Sequence, residues 1–201
     1  MSLLFETIKI VNRQPQNLSY HNERMNKARR DLFGICEAVD LENIISVPSD
    51  LFGGVYKCRV VFNTEIREVN FEKYEPRKIN GLKLVECNEI NYDYKYTDRS
   101  KFEILKRECN CRSDEDIVVV KNGLMTDTSF SNIVFKKHDK WLTPSKPLLE
   151  GTQRAKLLKE GAIFPAVIHI TELNNFEEIG LINAMINLED RIKLTINSIS
   201  R

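Results

Sequence analysis

Glu75-Pro76-Arg77-Lys78-Ile79-Asn80-Gly81 is a polar stretch carrying a proline and a glycine between two apolar runs. Proline fixes its own φ and disfavours helix in the residue before it, and glycine frees the chain to turn. The stretch therefore reads as a domain boundary, dividing the 201 residues into a smaller N-terminal part, 1–76, and a C-terminal part, 77–201. Just upstream, residues 55–63 and 66–74 alternate as paired strands. Further back, 3–11 reads as a strand running into the turn Asn12-Arg13-Gln14-Pro15. Between them, residues 18–39 place Leu18, Met25, Ala28, Leu32, Phe33, Cys36 and Val39 at helical spacing, with Asn17 or Ser19 as the cap.

Downstream, 82–86 reads as strand, 98–109 as a short helix, and Ile117-Val118-Val119-Val120 as a buried strand. Residues 129–135 and 140–142 suggest a hairpin around the solvated tip Lys136-Lys137-His138-Asp139. Residues 151–161 form a helix with glycine at both ends, and 164–170 and 181–186 are strands. Antiparallel hairpins beside segregated helices predict an α+β protein of two small units.

Composition narrows the function classes. Hydrophobic residues make up 42% and charged residues 29%, enough to build a core and too apolar for disorder. Thirty basic residues against 29 acidic ones leave a net charge of +1, which excludes a general electrostatic grip on nucleic acid. No apolar run approaches the ~20 residues that span a bilayer, so no membrane partner is expected. Met1-Ser2-Leu3-Leu4-Phe5-Glu6 reaches an acid before a signal-peptide core forms, and the expected location is cytoplasmic. Cys36, Cys58, Cys87, Cys109 and Cys111 are odd in number and scattered, a poor disulfide framework. Cys109-x-Cys111 is the one close pair and has no histidine near it, so free thiols in or near the core are expected and no metal site.

Four stretches, in order, carry chemistry. Near the start lie Phe5-Glu6-Thr7 and His21-Asn22-Glu23-Arg24. Tyr94-Lys95-Tyr96-Thr97-Asp98-Arg99 sets a lysine four residues before an arginine, at a helix start. Gly123-Leu124-Met125-Thr126-Asp127-Thr128-Ser129-Phe130-Ser131-Asn132-Ile133 follows. Last come Leu142-Thr143-Pro144 and Leu149-Glu150-Gly151-Thr152-Gln153-Arg154.

This ordered set resembles the class IV aminotransferases, the fold-type IV group of pyridoxal phosphate (PLP) enzymes, from Phe5 to about Met185. The group includes branched-chain and D-amino acid aminotransferases and aminodeoxychorismate lyases. The resemblance implies two small α/β domains of the D-amino acid aminotransferase-like architecture. Lys95 matches the lysine that holds the cofactor as a Schiff base and shuttles a proton at the substrate carbon. Asp127 stands where the family usually has the glutamate that faces the pyridine nitrogen, one methylene shorter. Gly151, Thr152 and Gln153 occupy the family's phosphate cup at a helix N-terminus, with Thr152-Gln153 in place of the usual Ile-Thr. Arg24 matches the phosphate-pairing arginine contributed by the other domain. Ile182-Asn183-Ala184-Met185 resembles a turn near the cofactor in the lyases, which brings in Asn183 and Ala184.

Within the family, Lys-x-x-x-Arg and the Asn-Ala-Met turn look more like the lyases. Those enzymes eliminate pyruvate from aminodeoxychorismate and leave 4-aminobenzoate for folate. Thr7 matches the second threonine of their Phe-Thr-Thr stretch, with Glu6 before it, and Thr7 and Arg99 are candidate substrate-lining residues. An amino acid aminotransferase is the alternative reaction, and a non-catalytic PLP-binding relative a further one. The expected small molecule is an amino acid or an aminodeoxychorismate-like compound. Family members usually carry a further stretch before the Phe-Glu-Thr segment, so the chain reads as N-terminally short. A missing strand would leave a sheet edge for a partner subunit, and the family is typically dimeric, so a homodimer is expected. His21 reads as structural or lining, and His169 as part of a strand.

Overall fold

The computed structural model describes residues 2–200, which form two compact units. The first comprises residues up to Pro76 together with Tyr94–Asp98, and the second Arg77–Asp93 and Arg99 onward.

In the first unit, β1 (Leu4–Val11) and β2 (Gln14–Pro15) make a hairpin closed by Asn12 and Arg13, both at positive φ. α1 (Leu18–Phe33) and the single turn α2 (Leu41–Ile44) follow, then β3 (Val55–Phe62) and β4 (Ile66–Lys73). The sheet runs β2-β1-β3-β4, all antiparallel. Side chains alternate across the pleat. Leu4, Ile8 and Ile10 accordingly meet Met25 and Ala28 of α1, with Cys58, Val60 and Phe62 beside them.

α1 stops six residues short of the expected end at Val39. Gly34 enters the left-handed region at φ 70 and its N–H turns back to Arg29 and Arg30, a glycine C-cap. Val39 is held instead by Asn26, whose side chain accepts from the Val39 N–H at 2.9 Å and donates to its carbonyl at 2.8 Å. At the other end Asn17 is the N-cap residue, in the left-handed region and without a side-chain capping bond.

β1 has an open edge where β2 does not reach. The returning segment Tyr94–Asp98 fills it: Phe5 N–H donates to Lys95 O at 3.0 Å and Thr97 N–H to Leu3 O at 2.9 Å. Leu4 and Tyr96 form the bridge between them.

The second unit opens with β5 (Gly81–Glu86), α3 (Ser100–Glu108) and β6 (Glu115–Lys121). β7 (Leu124–Thr128), β8 (Asn132–Lys137), β9 (Lys140–Pro144) and α4 (Thr152–Lys159) follow. β10 (Phe164–Ala166), β11 (Glu178–Ile182), β12 (Ile192–Leu194) and β13 (Ile199–Ser200) complete it. The strands make two sheets, β13-β5-β6-β7 and β10-β9-β8-β11-β12. β5 pairs in parallel with β6 and β13, and β9 with β10. Val118, Val120, Met125, Ile133, Phe135, Ile179 and Leu181 make a core from both sheets.

Three sequence expectations shift here. The expected strand 129–135 begins as a turn: β7 ends at Thr128, residues 129–131 turn the chain, and β8 begins at Asn132. Thr128 and Ser131 bond across that turn. The expected strand 164–170 ends at Ala166, and His169 caps a 3-10 turn over Ile170–Asn175 rather than lying in a strand. Its Nδ1 accepts from Thr171 N–H, while Glu172 accepts from the His169 N–H. The imidazole also explains Gly123: a Cβ there would lie 2.4 Å from His169 Nε2, at φ +76. Among the cysteines, all free thiols, Cys58 is buried in the core but Cys36 is exposed.

Candidate functional site

The residues singled out in the sequence fall in both units, and each group has its own geometry.

In the first unit the pleat of β1 sends Glu6 to the helix side and Phe5 and Thr7 to the other. A carboxylate at a core position needs partners, because an unpaired buried charge is very costly. α1 supplies two, one helical turn apart. Arg24 Nε donates to Oε1 at 2.9 Å and Arg24 Nη2 to Oε2 at 2.5 Å, while His21 Nδ1 lies 2.6 Å from Oε2. Burial pushes the Glu6 carboxyl up, but the Arg24 charge and the His21 hydrogen bond outweigh it and bring its pKa to about 2. Burial also holds His21 below its ordinary value, against the pull of Glu6. Glu6 is thus ionised and only accepts, so His21 donates from Nδ1, and its lowered pKa favours the neutral imidazole. Glu6 fixes the guanidinium of Arg24, which remains 15% exposed.

Lys95 is half-buried, and its Nζ sits 4.6 Å from the centre of the Phe5 ring. On the same ring, 4.7 Å away, rests the guanidinium of Arg59. Arg59 stands opposite Thr7 in the β1–β3 register, so the two project from one face of the sheet. Two cations on one aromatic ring beside a threonine make a face suited to an anionic small molecule.

In the second unit, Asp127 is buried at 3% exposure near the end of β7. Its Oδ1 accepts from Asn132 Nδ2 at 2.9 Å and its Oδ2 from the Leu149 N–H at 2.9 Å. Burial raises its pKa to about 6, against the lowering effect of those two bonds and of Arg154. Asn132 Nδ2 donates also to Leu149 O at 3.0 Å.

Gly151 caps α4 without a side chain, and the first intrahelical bond runs from Ala155 N–H to Gly151 O at 2.9 Å. The N–H groups of Thr152, Gln153 and Arg154 therefore have no acceptor within the helix, and no acid lies in its first turn. Thr152, Gln153 and Arg154 are all buried, and Arg154 Nε and Gln153 Oε1 have no hydrogen-bond partner. A Cβ on Gly151 would lie 1.9 Å from Asn132 Oδ1, so only glycine admits this approach. Gly151→Ala is expected to cost about 2 kcal/mol by overpacking, read as a lowered melting temperature. An unchanged melting temperature would contradict the contact.

Asn183 and Ala184 form a tight turn after β11. Asn183 Oδ1 accepts from Met185 N–H at 2.9 Å, and Asn183 and Ile186 exchange backbone bonds. Asn183 Nδ2 reaches the Phe130 carbonyl at 3.4 Å. Arg99 is half-buried, donates to the Ser129 carbonyl and rests 5.2 Å from the Phe102 ring centre. It is anchored to its own unit.

The structure brings Lys95 and Thr7 into one unit with Arg24, and Asp127 into another with Gly151, Thr152, Gln153, Asn183 and Ala184. Sequence reasoning missed Glu6 as a partner, Arg59 and Asn132. A glutamate alternating in register with core leucine and isoleucines was the available signal for the first. Arg59 and Asn132 carried none beyond their types.

The class IV amino-transferase family matches residues 3–188. A Haemophilus influenzae protein of uncharacterised function is 36% identical over 184 residues, 90% of this chain and 97% of that one. Among solved structures, a candidate 4-amino-4-deoxychorismate lyase of Haemophilus somnus shares 35% identity with a TM-score of 0.86, over 94% of this chain and 98% of that one. A hypothetical aminotransferase of Mycobacterium tuberculosis in PLP-bound form has a TM-score of 0.77 at 15% identity, over 99% and 81% of the two chains. The chain belongs to the class IV aminotransferases. It is a PLP-dependent enzyme of the fold-type IV architecture.

The residues present fit that cofactor. Open N–H groups at α4, an orphaned guanidinium N–H in its first turn and a glycine that a Cβ would block make a place for a phosphate.

Proposed function

We propose that this enzyme is a 4-amino-4-deoxychorismate lyase, releasing pyruvate and leaving 4-aminobenzoate. The observation carrying this reading is the 35% identity, over nearly the whole of both chains, to the candidate lyase of Haemophilus somnus. When bound, PLP supplies an electron sink for the carbon that loses its proton. Lys95 holds the cofactor and then, as a neutral amine, takes the proton from the substrate carbon bearing the amino group. Gly151, Thr152 and Gln153 hold the phosphate, and Arg24 matches the family's phosphate-pairing arginine. Asp127 supplies negative charge toward the pyridine nitrogen. Asn183 and Ala184 line the cofactor side, and Thr7 and Arg99 are kept as weaker candidates for lining the substrate. In the lyase reaction the enolpyruvyl group leaves and is protonated to pyruvate.

Arg59, beside Thr7 and on the ring that Lys95 contacts, suits a substrate carboxylate. Arg59→Gln is expected to raise KM about tenfold, the loss of one charge-assisted pair, with a smaller change in kcat. A KM within twofold of wild type would remove Arg59 from this role.

A second reading, amino acid transamination, is favoured by Glu6, which stands where the lyases have the first threonine of Phe-Thr-Thr. Purified enzyme given aminodeoxychorismate separates the two. Pyruvate release supports the lyase. Conversion of the cofactor to its amine form by an amino acid, with no pyruvate from aminodeoxychorismate, supports transamination. Cofactor binding with neither outcome supports the non-catalytic relative. A homodimer in the cytoplasm remains part of the proposal, and among the described residues no helix is long and apolar enough to cross a membrane.

A further inference from the structure

Asp127, Asn132 and Leu149 close a ring of three hydrogen bonds. Asn132 Nδ2 uses one hydrogen on Asp127 Oδ1 and the other on Leu149 O, and the Leu149 N–H returns to Asp127 Oδ2. Both polar groups of one backbone residue are therefore gripped by side chains of β7 and β8. That residue lies two positions before Gly151, the N-cap of α4. Asn132 Oδ1 also lies 1.9 Å from the position a Gly151 Cβ would take.

We propose that Asp127 and Asn132 are positioning residues for the phosphate cup, fixing Leu149 and Gly151 so that the α4 N-terminus is held ready for the anion. This rests on the reading of that helix end as the cofactor's phosphate site, and it gives Asp127 a task besides its charge. The ring of bonds needs an acceptor-only group at position 127. An asparagine there places its amide hydrogens against either Asn132 Nδ2 or the Leu149 N–H, and one bond of the ring is lost in every rotamer. A buried carboxylate with both oxygens satisfied in this way also accounts for an aspartate in place of glutamate: its shorter arm reaches the Leu149 N–H from β7.

Charge and clamp predict opposite signs. If Asp127 acted only as a buried negative charge, Asp127→Asn would remove repulsion and tighten anion binding. As a clamp, the same change loosens the cup. Inorganic phosphate, titrated calorimetrically against the cofactor-free protein at pH 8, is expected to bind Asp127→Asn about tenfold more weakly than wild type. Asn132→Ala, which leaves the charge in place, is expected to weaken it similarly, and the double variant no further, because the two act as one unit. Phosphate bound equally or more tightly by Asp127→Asn overturns the proposal.

Wild-type protein gives a second readout that survives any misfolding of the variants. The Leu149 amide, donating to a buried carboxylate, is expected to exchange its hydrogen slowly in the cofactor-free state. Exchange as fast as that of the amide of the exposed residue Lys146 overturns the proposal. If PLP gives no visible band with wild-type protein, the cofactor-site reading fails separately, because amide exchange reports on the clamp without any ligand.

Discussion

Lys95→Ala is expected to lose the yellow visible absorption that wild type shows with PLP and to lower turnover about 10³-fold or more, since one amine both holds the cofactor and moves the proton. The structure supports that assignment with an amine of unusual setting. Lys95 is half-buried on an aromatic ring already shared with Arg59, and its own charge helps to keep His21 neutral. Lys95→Arg is the informative companion: it keeps the positive charge on Phe5 while removing the nucleophile, so it should fold like wild type and remain colourless. A visible band surviving in either variant would take Lys95 out of the reaction.

Glu6 is expected to have the largest effect on stability. Removing its carboxylate leaves Arg24 and His21 facing an apolar core, and breaking a buried pair from one side costs about 3–5 kcal/mol. Urea unfolding of Glu6→Ala measures it, and a loss below about 1 kcal/mol would show that water already screens the pair.

The pH dependence follows with a definite sign. The Glu6 pKa falls from 4.5 to about 2 on folding. Its contribution is therefore complete above pH 4.5 and lost as pH falls toward 2, about 3 kcal/mol in all. Asp127 runs the other way. Its pKa rises from 3.8 to about 6, so the folded state holds a proton that the unfolded chain has released. Stability declines as pH rises from 3.8 through 6. Wild type should be most stable near the overlap, about pH 4 to 5, and Glu6→Gln should keep only the decline. A wild-type profile flat from pH 2 to 6 would contradict both assignments.

Local chemistry was legible wherever a short run of residues settles it. The hairpins of 55–74 and 136–139, the buried run at Ile117 and the glycine-flanked α4 follow from alternation and turn residues alone. Ranges failed where a cap or a side-chain hydrogen bond overrode the periodic pattern. Val39 continues the apolar spacing of α1, yet Asn26 and Gly34 take its backbone away from the helix. His169 sits in an apolar run, yet Glu172 draws it into a capping box. The candidate site divides in the same way. Lys95, Arg24 and Gly151 lie in recognisable motifs, whereas Glu6 becomes a partner of Arg24 only across 18 residues, and Asn132 becomes a clamp only when α4 is brought to it.

The segment Tyr94–Asp98 belongs to the first unit although the residues on both sides of it belong to the second. Two fragments made by cutting after Pro76 would each be incomplete: one would lack the strip that covers the open edge of β1, and the other would carry that strip without its sheet. Neither half is a module that a gene fusion or a split reporter could move on its own. The lysine proposed to hold the cofactor rides on the borrowed piece, so any attempt to divide this protein would separate it from the residues proposed to work beside it.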